Sequence, residues 1–278
     1  MKITLATSYG FCFGVKRAIK IAEEHPGSKT YGPLIHNKDE IDRLQEGYGI
    51  VSVDNLSDIA PDDAVVIRTH GIPKNELEAL VAQKNKIIDA TCPYVTTPQN
   101  IVQKMSQEEY DIVIFGDENH PEIKGVMSYA AEQKRVFVIL DAQSVERLPL
   151  RNKVAVVAQT TRNPKDFLEV VQALVLVSKE VRIFNTICNA TFENQDAAAE
   201  LAKTSDIMVV IGGKHSSNTK QLYAICKKYC NDSYLVENES ELNSQWFEGK
   251  SNCGISAGAS TPDWVVQKVI DEIRKIVS

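Results

Sequence analysis

At 278 residues the chain is long enough for about two domains and for sizeable buried cores. It is 43% hydrophobic and 24% charged, an ordinary globular make-up, and 31 Lys and Arg against 37 Asp and Glu leave a net charge of −6. That balance argues against nucleic-acid or anionic-membrane partners. No apolar run approaches the ~18 residues of a membrane span, and the first residues lack the pattern of a secretory signal, so the expected location is the cytoplasm.

In chain order, a strand through ITLATS leads to Cys12, and a helix with the apolar stripe Val15, Ile19 and Ala22 follows. KTYGPLIHNKDEIDRL reads as a strand, a loop holding His36, and a helix. GIVSVDNLSDI is a third strand–helix unit, and AVVIRTHGIPKNELEAL, with His70, is a fourth. The same four units then recur. KIIDATC ends at Cys92, before a helix with Ile101, Val102 and Met105. DIVIFGDENHPEIKGVM carries His120 and Glu122, RVFVILDAQSV follows, and VAVVAQTTRNPKDFLEVV carries Thr160. On the third pass VRIFNTIC ends at Cys188, before a helix with Ala198 and Leu201. DIMVVIGGKHSSNTKQLYAI carries Ser216, Ser217 and Asn218. SYLVENESEL comes next, and CGISAGASTPDWVVQKVI carries Ser260. The closing helix presents Val266, Val269, Ile270, Ile273 and Val277 on one face.

Short, nearly continuous Val/Ile-rich runs are the mark of parallel strands buried on both faces, and their alternation with helices predicts an α/β fold. Three passes through four units predict three similar small α/β domains with mostly parallel sheets, spanning residues 1–92, 93–188 and 189–278. Ligands of open α/β sheets bind beyond the carboxyl ends of the strands. The residues singled out above all fall there: Cys12, Cys92 and Cys188 after the first units, His36, His120 with Glu122, and Ser216, Ser217 and Asn218 after the second, and His70, Thr160 and Ser260 after the fourth. A pseudo-threefold arrangement would bring these sets to one centre, as a triangle of thiolates ringed by imidazoles, hydroxyls and an amide.

Thiolates are soft donors that select zinc, copper(I) or iron–sulfur clusters. Any one of these cysteines alone reads as a packing thiol, and the identical position in three repeats reverses that reading. A four-iron cluster normally takes four cysteines, so three would leave one iron open to a substrate oxygen. The ring of Ser, Asn and His donors suits phosphate oxygens, although HSSNT and ASTPD alone are ordinary helix caps. Glu122 is the one carboxylate at this level and a candidate proton donor. His25 reads as a surface loop residue. Cys226, Cys230 and Cys253 read as core, and GISAG lacks the later histidine that a serine nucleophile needs, since none follows His215. No phosphate-loop or dinucleotide motif is present.

The motifs GFCFGVKRA, YGPLIHN, RTHG, DATCP, HPE, QTT, IC-x-AT, SSNT and AGAS-x-PD run the length of the chain in order. In these the chain resembles the 4-hydroxy-3-methylbut-2-enyl diphosphate reductases, the LytB/IspH family of the non-mevalonate isoprenoid pathway. The resemblance implies three α/β lobes around a central [4Fe-4S] cluster held by Cys12, Cys92 and Cys188, with one open iron. It implies that His36, His70, His120, Ser216, Ser217, Asn218 and Ser260 hold the substrate diphosphate. Glu122 would deliver a proton, with Thr160 linking it to the substrate and Thr191 near the cluster. The implied reaction is reductive dehydroxylation of the allylic diphosphate to isopentenyl and dimethylallyl diphosphates. Electrons would come from an external ferredoxin or flavodoxin. Asn194-Gln195 stands where the family often has Arg-Gln. Two other readings remain at this level, a non-redox iron–sulfur dehydratase and a metal-stapled sensor of a phosphorylated metabolite.

Overall fold

The computed structural model describes residues 1–278. It holds three four-stranded parallel sheets and nine α-helices, an α/β protein. The chain divides into two compact units: Met1–Lys16, Ile35–Tyr48 and Asn189–Ser278 form the first, and Arg17–Leu34 with Gly49–Cys188 the second.

The first unit is built on one sheet, β1 (Lys2–Leu5), β12 (Asn252–Ala257), β10 (Ile207–Ile211) and β11 (Ser233–Val236), in that spatial order. Strand side chains alternate between faces, and both faces of this sheet are covered. Met208 and Val210 of β10 pack on Ala198 and Ala202 of α7 (Asn189–Ala202) and on Leu222 and Cys226 of α8 (Ser217–Tyr229). The alternate residues Ile207, Val209 and Ile211 meet Val265, Val266, Val269 and Ile273 of α9 (Asp263–Val277), the stripe expected for the closing helix. The helix α2 (Lys38–Tyr48) is fastened to α9 by the Trp264 Nε1–H, which donates to Glu40 Oε2 at 3.1 Å.

The second unit holds two sheets. One runs β3 (Val51–Val53), β2 (Lys29–Tyr31), β4 (Ala64–Ile67), β5 (Lys86–Asp89), and the other β7 (Val136–Ile139), β6 (Asp111–Phe115), β8 (Lys153–Ala158), β9 (Glu180–Ile183). The helices α3 (Lys74–Ala82), α4 (Pro93–Gln107), α5 (Pro121–Ser128) and α6 (Pro164–Val177) connect these strands, and α1 (Phe13–Glu23) carries the chain in from β1.

Strand order is the same in all three sheets when counted by repeat unit. Each first-unit strand, the one followed by a special cysteine, lies at an edge, beside a fourth-unit strand, then a second-unit strand, then a third. Thus β5 pairs with β4 and β9 with β8, each the fourth-unit strand that precedes it in the chain. The strand β1, read with the first repeat in the sequence, instead pairs with β12, Lys2 opposite Asn252 and Leu5 opposite Ile255. A repeat pattern tells which strands are alike, whereas the partner of an edge strand is set by tertiary pairing. The third units also differ from expectation. Their strands lead into 3₁₀ turns of three to five residues (Leu56–Asp58, Gln143–Arg147, Glu239–Glu241) rather than α-helices. Such short Asn/Ser/Asp-rich segments cannot offset the cost of nucleating an α-helix.

At the base of the β6 sheet, Asp111 is fully buried and takes two guanidinium groups. Its Oδ1 accepts from Arg135 Nε and Arg151 Nε, each at 2.7 Å, and its Oδ2 accepts the Arg151 backbone N–H at 2.6 Å. Burial alone would raise the Asp111 pKa, but the donors from Arg135 and Arg151 outweigh it and hold the pKa below the usual carboxylate range. The folded-state pKa is depressed, so its stabilisation is present above the unfolded value of about 3.9 and is lost as pH falls through the folded value. We expect Asp111→Ala to cost about 2–4 kcal/mol of unfolding free energy at neutral pH, and less in acid. Urea unfolding at two pH values measures this, and an equal cost at both would remove the ionic part of the account.

Candidate active site

Each of the three special cysteines sits in the same backbone setting. The Cys12 N–H donates to Ala259 O at 3.2 Å, the Cys92 N–H to Thr69 O at 3.0 Å, and the Cys188 N–H to Thr160 O at 2.9 Å. Every acceptor lies two residues beyond the end of the neighbouring fourth-unit strand: β12 ends at Ala257, β4 at Ile67 and β8 at Ala158. Each cysteine directly precedes a helix: α1, α4 or α7. Helix starts carry outward N–H groups that favour negative charge. None of the six cysteines is in a disulfide, and these three are half-buried while the others are enclosed. Burial pushes the Cys226 and Cys253 thiols up to about 12, so both stay neutral and act as packing groups. Three half-buried soft donors, each held just before a helix start by its backbone hydrogen bond, fit the thiolate set of a metal cluster. Cys226→Ala is expected to cost about 1 kcal/mol in stability and to leave iron content and turnover within about twofold of the parent. Metal analysis and a turnover assay check this, and loss of iron would bring Cys226 into the ligand set.

In the first unit, the rim of the β10 sheet carries His36 and Ser260 on loops, and Ser216, Ser217 and Asn218 at the start of α8. The backbone carbonyl of His36 lies only 2.4 Å from where a Cβ on Gly213 would stand, so the His36 loop rests on the glycine turn that leads into α8. Ser216 is the N-cap of α8, its Oγ accepting the Thr219 N–H at 3.3 Å. Asn218 is 5% exposed, and neither its Oδ1 nor its Nδ2 has a hydrogen-bond partner. A buried amide with all its capacity open costs free energy unless a ligand uses it. Ser260 follows Ala259, the acceptor of the Cys12 amide. The loop that carries Cys12 is pinned by Ser8, whose hydroxyl donates to Asn194 Oδ1 at 2.6 Å. Asn194 is 3% exposed, so the position that departs from Arg-Gln acts here through a neutral hydrogen bond.

In the second unit, the rims of its two sheets meet at a histidine pair, His70 and His120, with ring centres 5.5 Å apart and planes at 83°. His120 caps α5, its Nδ1 accepting the Glu122 N–H at 3.2 Å. An accepting Nδ1 places the neutral ring's proton on Nε2, which is then the donor. The Glu122 carboxylate is 1% exposed and held by one residue. Its Oε1 accepts the Thr160 N–H at 2.8 Å and its Oε2 the Thr160 hydroxyl at 2.7 Å. Burial raises the Glu122 pKa above the usual carboxylate range, and the Thr160 donors and the Arg162 charge oppose it without cancelling it. A carboxyl so placed keeps its proton to higher pH than a surface glutamate.

The repeat register corrects one sequence expectation. Ala259, Thr69 and Thr160 are the equivalent acceptors, so Ser260 and His70 correspond to Thr161, not Thr160. Thr160 belongs to the site through Glu122 and the Cys188 amide. His25 lies in the turn after α1, the loop position the sequence suggested, partly exposed and with its Nδ1 2.8 Å from the Ile21 carbonyl. Thr191 is buried in the first turn of α7. Two residues at the Glu122 rim escaped the sequence reading. Gln159 is fully buried, accepts the Asp117 N–H at Oε1 and leaves its Nε2 without a partner. Arg162 lies with its Cζ 5.6 Å from the Phe115 ring centre. Both stand beside Thr160 in QTTR, and a polar run at a strand end was the available signal.

Comparison with known proteins follows the same line. The family model described as LytB protein matches residues 3–274. The 4-hydroxy-3-methylbut-2-enyl diphosphate reductase of a Sulfurovum species is 71% identical over 276 residues, 99% of this chain and 100% of that one. The reductase of the same name from a Nitratiruptor species is 63% identical over 277 residues, 99% of each. Among solved structures, an (E)-4-hydroxy-3-methyl-but-2-enyl diphosphate reductase, described as the terminal enzyme of the non-mevalonate pathway, is 41% identical with a TM-score of 0.71, covering 99% of this chain and 100% of that one. The E-1-hydroxy-2-methyl-but-2-enyl-4-diphosphate reductase of Plasmodium falciparum is 28% identical with a TM-score of 0.91, covering 97% of this chain and 87% of that one. With the cysteine edges, the Glu122–Thr160 pair and the open Asn218 amide on the matched length, the chain belongs to the LytB family.

Proposed function

We propose that this chain is a 4-hydroxy-3-methylbut-2-enyl diphosphate reductase that converts its allylic alcohol substrate to isopentenyl and dimethylallyl diphosphates. Cys12, Cys92 and Cys188 are the protein ligands of a [4Fe-4S] cluster with one iron free of protein ligation. The observation that carries this reading is the triple recurrence of one backbone setting, a half-buried cysteine whose N–H donates to the rim of the adjacent strand. Of the three repeats, 1–92, 93–188 and 189–278, the first carries Cys12 near its start and Cys92 at its end, and Cys188 closes the second. When bound, the cluster supplies electrons and Lewis acidity at the substrate hydroxyl. Electrons reach it from an external ferredoxin or flavodoxin.

The protein's own groups do the rest. The α8 start, with Ser216, Ser217 and the open amide of Asn218, together with Ser260, binds diphosphate oxygens, and His36, His70 and His120 donate to the same anion. Holding the diphosphate fixes the far end of the substrate, so its hydroxyl is presented without a diffusional search. Glu122 holds a proton in a pocket that excludes water, and passes it to the departing hydroxyl oxygen with Thr160 aligning the carboxyl. No helix is long and apolar enough to cross a membrane.

The test is anaerobic purification followed by iron and sulfide analysis, electron paramagnetic resonance with and without the diphosphate substrate, and turnover with and without a reductant. We expect iron with sulfide, a signal altered by substrate, and product only with reductant. Zinc without sulfide would support the stapled sensor instead, and product without reductant the dehydratase.

A further inference from the structure

The turn after β8 is a rigid piece. The Arg162 N–H donates to Gln159 O at 3.1 Å and closes it, and inside the turn Thr160 gives both of its donors to Glu122. The side chain of Arg162 folds back over the ring of Phe115. Phe115 ends β6 and is paired in register with Ala158, the last residue of β8. The guanidinium therefore lies at the junction of the two strand ends from which Glu122 and Thr160 are delivered. It is half-buried, and its Nε is enclosed with no hydrogen-bond partner. Burial weakens its hold on its proton more than any other influence, and the charges that oppose this are Asp117, then Asp166, then Glu122.

A half-buried guanidinium with an enclosed, unsatisfied Nε costs stability unless its charge is used. The Phe115 ring over which Arg162 lies would take an apolar side chain at position 162 as well. Beside its couplings to Asp117 and Asp166, the charge has a use at Glu122. When Glu122 gives up its proton, a carboxylate remains in a pocket where only Thr160 donates to it. The other groups around it are neutral or turned elsewhere. His120 uses Nδ1 on the Glu122 amide, and His70 meets the His120 ring. From α4 the side chain nearest α5 at Gly125 is the neutral Gln99. From α3, Glu76 couples to Arg68 and Lys124 rather than to Glu122.

We propose that Arg162 is a positioning residue for proton delivery, the counter-charge for the carboxylate left when the Glu122 proton moves to the departing oxygen. This rests on the proton role of Glu122 proposed above. Removing the charge leaves the carboxylate less stable, so the proton is held more tightly and transferred more slowly.

The test reads Glu122 directly. The infrared carboxyl band of the anaerobically purified holoenzyme is titrated, and the Glu122 band is assigned by its loss in Glu122→Gln. In Arg162→Leu the midpoint moves to higher pH, and in Arg162→Lys, which restores a cation, it returns toward the parent. Arg162→Gln serves the same purpose should the leucine variant fold poorly by circular dichroism. The pH limb of turnover that tracks the Glu122 midpoint shifts in the same direction. An unmoved midpoint in both neutral variants overturns the proposal. A midpoint that moves while turnover does not follow it would instead overturn the proton role of Glu122, so the two failures are distinguishable.

Discussion

Replacing Cys12 by serine is expected to strip or cripple the cluster, with bound iron falling well below the parent and turnover falling by more than about 100-fold. The reason is local to the sulfur. The backbone at Cys12 is held by β1 against β12, by its own N–H on Ala259 O, and by the Ser8–Asn194 hydrogen bond four residues earlier. None of these contacts uses the thiol, so the loop keeps its course in the variant. What changes is a soft, polarisable donor for a hard oxygen that binds iron–sulfur clusters poorly. The same substitution at Cys92 or Cys188 should behave alike, because the setting is alike. Iron and sulfide content, with circular dichroism as the fold control, decides the matter. A Cys12→Ser protein with its full complement of iron and ordinary turnover would take Cys12 out of the ligand set.

The periodic part of this molecule was legible from the chain alone. Four units recurring three times place a cysteine after every first-unit strand, and parallel α/β topology puts those strand ends on the ligand-binding rim. Helix stripes such as Val266, Val269, Ile270 and Ile273 were equally plain, because burial against one sheet face imposes a 3.6-residue period. What depends on long-range pairing was not. The docking of β1 on β12 joins residues some 250 apart, and nothing in ITL distinguishes that partner from a nearer one. The one-residue offset between Thr160 and His70 needed the hydrogen-bond register of the fold. Arg162 sits in a TRNP turn that reads as a solvated helix start, and only its packing on Phe115 gives it a site. HSSNT shows the same limit from the other side. Ser216 is the cap the sequence suggested, and capping says nothing of its neighbour Asn218. The open amide of Asn218 is a fact of packing, since a side chain without partners is visible only when everything around it is placed.

The second large effect concerns Glu122. Glu122→Gln is expected to leave the cluster spectrum close to the parent and to lower turnover by about 10²–10⁴-fold, the usual contribution of a positioned general acid. Glutamine matches the carboxylate in size and can still accept the Thr160 N–H and hydroxyl through its carbonyl, so geometry is preserved while the proton is not supplied. Lost turnover with an intact cluster then speaks for proton delivery and against collapse of the pocket. The pH dependence gives a second reading. Burial first, then the opposing Thr160 and Arg162 influences, leave the Glu122 pKa above its ordinary value. The protonated form is the active one in this scheme. Parent turnover should therefore be fullest below that raised pKa, and fall as pH rises through it. In Glu122→Gln the fall should disappear, leaving a low and flat profile across the same range. A variant that keeps near-parent turnover, or one that is slow but retains the alkaline limb, would assign the proton to another group. Of the groups on this rim, the Nε2–H of His120 is the next donor to test.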